Sequence, residues 1–113
     1  LVDFIRNAAK ALDLDVEIFQ SNCEGELVTA IQNAYGKFDG IVINAAAYTH
    51  TSVAILDALK AVGLPTAEVH LTDIHSREQF RRLSYVGTYA QKTVCGKGFD
   101  GYRECLKWLK EMV

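Results

Sequence analysis

"GIVINAAAYTHTSVAILDALKAVGLPTAEVHLT", residues 40–72, contains two extended runs separated by one helical run. Ile41, Val42 and Ile43 are consecutive β-branched residues, the pattern of a parallel strand covered on both faces. Residues 51–63 carry a helical pattern with Thr51 or Ser52 as N-cap, and Gly63 and Pro65 supply the stop. "TAEVHL" (66–71) then returns to an extended run. Strand, helix and strand in this order make a βαβ unit, which joins its strands in parallel.

The same alternation continues in both directions. Upstream, Val2, Ile5, Ala9 and Leu12 form one helical stripe, and "DVEIFQ" (15–20) is a short extended run. Residues 24–36 have helical spacing at Leu27, Ile31 and Ala34, with Ser21 or Asn22 as cap and Gly36 as exit. Downstream, "HSREQFRR" (75–82) is read as a short helix and "KTVCG" (92–96) as a last, weak strand. Residues 100–113 are read as a terminal helix with Cys105, Leu109 and Met112 on one side. The whole is an α/β chain, expected to form a single domain over 1–113: a doubly wound parallel sheet with helices on both faces. Such folds open with a strand and this sequence opens with a helix, so a first strand is expected upstream of Leu1.

The 113 residues are half hydrophobic, which suffices for one core. A net charge of −2 argues against nucleic acid or an anionic membrane as the main partner. No apolar run approaches the roughly 18–20 residues of a membrane span. The opening segment lacks a signal peptide's continuous apolar stretch. Cys23, Cys95 and Cys105 are odd in number and without CxxC spacing, so free thiols in a cytoplasmic protein are expected.

The chemistry is sought beyond the carboxyl ends of the strands, where open α/β sheets bind ligands. Asn44 ends one strand there, and His70 and Thr72 end the next. Glu68, His70 and Thr72 share one face of their strand, with Cα atoms about 6.5 Å apart. Glu68 is therefore expected behind His70, fixing its tautomer and favouring a proton donor. A buried histidine satisfied by a structural glutamate is the other reading of that spacing. His50 precedes a helix start and is either a ligand contact beside helix amides or a capping loop residue. Asp57 reads as a helix carboxylate with a solvated or intersubunit role. Arg77 and Arg81, four apart, are expected to share a helical face, as exposed charge or as an anion clamp.

"FQSNCEGELVTAIQNA", "GIVINAAAYTHTSVAILDAL", "AEVHLTDIHSREQFRRLSY" and "GYRECLKWL" together resemble, in order and spacing, the type II 3-dehydroquinate dehydratases. The resemblance runs from about Phe19 to the terminal helix. It implies a flavodoxin-like fold with a five-stranded parallel sheet and a dodecamer built of trimers. It also implies dehydration of 3-dehydroquinate to 3-dehydroshikimate by anti elimination through an enolate, with no cofactor, metal or Schiff base. By the same resemblance His70 matches the general acid and Glu68 its orienting partner. Leu71 and Thr72 match the pair that holds the substrate carboxylate, and Asn44 faces that end. His50 and Arg81 match ligands of the ring hydroxyls, and Asp57 reaches the neighbouring subunit's site. The family's opening strand with its Asn-Gly-Pro-Asn-Leu motif, and its lid with an Arg and the Tyr base, have no counterpart in these residues. Tyr35, Tyr48, Tyr85, Tyr89 and Tyr102 do not match that Tyr in context. The chain is thus expected to hold the acid half of the site without the base half. Asp73, Ala45 and Ala46 depart from the residues common in the family, and "KTVCGKGFDGY" is more polar than its usual last strand. Two other readings stand beside the lyase: a flavodoxin-like module binding a small ligand, and an oligomer subunit without catalysis.

Overall fold

Three parallel strands run through the computed structural model, which describes all residues from Leu1 to Val113. They are β1 (Ile41–Ile43), β2 (Thr66–His70) and β3 (Lys92–Cys95), side by side in that order. Ile43 pairs with Glu68, and His70 with Cys95. β2 is the central strand and all five of its residues are buried.

Helices cover both faces. Ala67 and Val69 of β2 pack with α1 (Val2–Ala11) and α5 (Asp100–Met112), through Ile5, Ala8, Ala9, Tyr102, Cys105 and Leu106. On the other face Ile43 packs with α2 (Glu24–Asn33) and α3 (Val53–Val62), through Ile31, Ile55, Ala58 and Leu59. Full burial of Ile55 and Leu59 contributes about 1.5–3 kcal/mol for each side chain.

The helix ends follow from local chemistry. Ser52 caps α3 by accepting the Ile55 N–H at 3.0 Å, worth about 1 kcal/mol. Gly63 ends it with φ 71°, a conformation that penalises any Cβ, and its N–H returns to Leu59. The cap of α2 is Cys23 rather than Ser21 or Asn22. Ser21 acts from two residues further out, accepting the Cys23 N–H at 3.0 Å.

Other expectations need correction. Residues 15–20 form no strand. Their burial does alternate, with Val16 and Ile18 packed against the α1–α5 cluster and Glu17 exposed. A strand also needs a hydrogen-bonded neighbour, and no backbone hydrogen bond joins residues 15–20 to another segment. The sheet therefore has three strands, against the five implied by the resemblance. "HSREQFRR" is not one helix. A 3-10 turn covers Ile74–Ser76, Arg77 is extended, and α4 is only Gln79–Arg82. Arg77 and Arg81 thus share no helical face. Met112 is 54% exposed and does not join Cys105 and Leu109 in the core. The three cysteines are free, from exposed Cys23 to buried Cys105.

Candidate active site

β2 delivers its polar row to the face lined by α2 and α3. Glu68 is 1% exposed and would be costly there as an unpaired charge. It is fully partnered instead. Its Oε2 accepts from His70 Nε2 at 2.6 Å and from the Ser84 hydroxyl, and its Oε1 accepts from Thr93 Oγ1 at 3.1 Å. Burial pushes the Glu68 carboxyl up, but the bonds from His70 and Ser84, the His70 charge and the Thr93 bond outweigh it. The net effect holds the group below its ordinary value. An ionised acceptor at Oε2 requires the His70 proton on Nε2. Nδ1 is left without a protein partner, and it is not among the sealed unpaired polar atoms, which are Thr49 Oγ1 and Arg81 Nε.

The remaining candidate residues surround the strand ends unevenly. Asn44 follows Ile43 and so leaves β1 on the opposite face from Glu68 and His70. Its Nδ2 donates to the Tyr102 hydroxyl at 3.0 Å, and its Oδ1 accepts the Ala46 N–H at 3.0 Å. His50 ends a 3-10 turn (Ala46–His50), half-buried, with Nδ1 donating to Leu83 O at 2.7 Å. Leu71 and Thr72 lie just past β2, both exposed. Leu71 O accepts the Gly98 N–H at 3.1 Å, which ties the chain after β2 to the chain after β3. Arg81 on α4 lies over the Phe80 ring, with Nε 2.6 Å from Glu78 Oε2, close enough for an ion pair but off-line for a hydrogen bond. Asp57 projects from α3, exposed and unpaired.

Sequence reasoning missed Ser84, Thr93 and Tyr102. The first two lie 16 and 25 residues from Glu68 and carry no motif of their own. A surface hollow of about 680 Å³ lies elsewhere. It is lined by Asp13, Asp15, Asp39, Leu64 and Lys110. Asp39 and Leu64 precede β1 and β2, so it opens at the amino ends of the strands, away from His70.

A buried carboxylate–imidazole pair with one free ring nitrogen, at the carboxyl end of a central parallel strand, is suited to moving a proton. Comparison with known sequences gives this arrangement its family. The sequence model described as "Dehydroquinase class II" matches residues 1–110. The chain belongs to the class II dehydroquinase family.

Among class II relatives, the 3-dehydroquinate dehydratase of Clostridium acetobutylicum is 46% identical over 113 residues, spanning 100% of this chain and 78% of the relative. That of Geotalea daltonii is 58% identical over 94 residues, 81% of this chain and 65% of the relative. The fold agrees as well. The crystal structure of the type II dehydroquinase from Butyrivibrio crossotus superposes with a TM-score of 0.93 at 40% identity, covering 96% of this chain and 76% of that one. The α/β sheet described above is therefore the flavodoxin-like fold of class II dehydroquinases.

Proposed function

We propose that the protein dehydrates 3-dehydroquinate to 3-dehydroshikimate, with His70 as general acid. The observation that carries this reading is the sealed Glu68–His70 pair, whose geometry leaves Nδ1 as the only ring nitrogen free to give a proton outward. A base removes the proton next to the substrate ketone, giving an enolate. The enolate collapses as the C1–O bond breaks, and the His70 imidazolium hands its Nδ1 proton to the departing hydroxyl, which leaves as water. Proton donation of this kind contributes about 10²–10⁴-fold. Glu68 stabilises the imidazolium and holds the ring while remaining ionised.

The rest of the scheme follows the chemistry of an anionic polyol. Leu71 and Thr72 bind its carboxylate through their amides and the Thr72 hydroxyl. Asn44, although it leaves β1 on the other face, keeps one N–H beyond the bond to Tyr102 that is available to that end at the rim. His50 and Arg81 take ring hydroxyls, Arg81 turning from Glu78. Asp57, exposed and unpaired, reaches a neighbouring subunit's site within a dodecamer of trimers. The scheme uses acid–base chemistry alone, without metal or cofactor. The base is assigned, as the family resemblance implies, to a lid tyrosine that has no counterpart among these 113 residues. A cytoplasmic location fits free thiols, and no helix is long and apolar enough to cross a membrane.

The test is ultraviolet absorption of the conjugated enone when the full-length protein meets 3-dehydroquinate. Turnover that survives borohydride and chelator supports the scheme, and no turnover ends it. In the same assay His70→Ala is expected to lower kcat by about 10²–10⁴-fold with KM nearly unchanged. A raised KM at constant kcat would make His70 a binding residue instead.

A further inference from the structure

We infer that Ser84 is a positioning residue for the His70 proton, and that Leu83–Ser84–Tyr85 is the segment that holds both site histidines in one frame. This rests on the function proposed above. Of three consecutive residues, the outer two bond to the turn carrying His50 and the middle one bonds to Glu68. Leu83 O accepts from His50 Nδ1 at 2.7 Å, the Ser84 hydroxyl donates to Glu68 Oε2, and the Tyr85 N–H donates to Thr49 O at 2.9 Å. The loop carrying His50 and the strand carrying His70 are thus bridged by one short stretch.

Ser84 is the exacting member. A hydroxyl has one proton and two lone pairs. The Gly87 N–H occupies a lone pair at 2.8 Å, which orients the hydroxyl so that its proton goes to Glu68. Oε2 then receives Ser84 and His70 together, while Thr93 holds Oε1, so the carboxylate cannot rotate away from the imidazole. The space is shaped for this arrangement. A Cβ at Gly87 would sit 3.0 Å from Glu68 Oε1 and 3.1 Å from Ser84 Oγ, closer than a side chain tolerates without displacing one of them. Ser84 is small and only half-buried, so losing its oxygen removes orientation and almost no packing.

The test compares wild type, Ser84→Ala and Ser84→Thr in the full-length protein. Ser84→Ala is expected to lower kcat about ten-fold or more, the scale of one hydrogen bond to a charged group, with KM within two-fold. Ser84→Thr, which keeps the hydroxyl, should recover most of it. An active wild type whose Ser84→Ala variant keeps its kcat overturns the assignment and leaves the proposed function standing. Nitrogen-15 spectra of the His70 ring give a readout that needs no turnover. Neutral His70 is expected as the single Nε2–H tautomer in wild type and as a mixture in Ser84→Ala. An unmixed tautomer in the variant overturns the positioning role even where wild type fails to dehydrate the substrate, an outcome that would end the functional scheme separately. Should Ser84→Ala not fold, Ser84→Cys, similar in shape with a much weaker donor, carries the same expectations and the same overturning results.

Discussion

Val69 and Glu68 are neighbours on β2 and almost equally buried, at 0% and 1% exposure, yet opposite means hold them. Val69 is surrounded by the aliphatic and aromatic side chains of α1 and α5, where volume and shape decide the fit. Glu68 is surrounded by three donors drawn from β2, β3 and the segment after α4, where count and direction decide it. One strand therefore builds a core on one side and an orienting network on the other. Burial alone does not separate the two. Complete partnering of a charge with one free nitrogen behind it does.

The contrast is sharpest in stability. Glu68→Ala leaves three donors without their acceptor and is expected to cost about 3–5 kcal/mol. Val69→Ala removes two methyl groups and should cost about 2 kcal/mol. Urea unfolding of both variants measures the order, and a larger loss at Val69 would make the polar face incidental. A smaller effect appears with pH. The Glu68 carboxyl is held below its ordinary 4.5 in the folded protein, so the folded state binds fewer protons than the unfolded one there. Its contribution is fully present above 4.5 and fades as pH falls through the lower folded value. The stability gap between wild type and Glu68→Gln should therefore narrow below 4.5, and a gap constant down to pH 2 would contradict the depressed carboxyl. The smallest effect is kinetic and concerns the thiols beside the two faces. Burial, then the Glu104 charge, pushes Cys105 up to about 12 on the apolar side. On the polar side burial raises Cys95 too, helped by the charges of Glu68 and Asp73. Iodoacetamide should modify exposed Cys23 first, half-buried Cys95 later, and Cys105 only on unfolding.

Much of this was legible in the sequence because it is local. Consecutive β-branched residues at 41–43, Ser52 and Gly63 around α3, and the Glu68–His70 alternation each depend on residues a few positions apart. What was not legible depends on partners far along the chain. The period-2 pattern of 15–20 is present and correctly reports which side chains turn inward, but a ladder also requires a companion strand. The 75–82 helix fails for a nearer reason: the Asp73 carboxylate accepts the His75 N–H and closes a tight turn, after which the chain straightens at Arg77. Asn44 was expected beside His70 on adjacency of strands alone. The pairing of Ile43 with Glu68 sends it to the other face, toward Tyr102.

The two borders of the sheet are unlike. β3 ends the ladder with Lys92 in its row, a charge that discourages another chain from docking there. β1 ends it with Ile41, Val42 and Ile43, bare of charge, the first two half-buried and the third buried. Any further strand that joined this sheet in parallel would find its place at the isoleucine border and not at the lysine one.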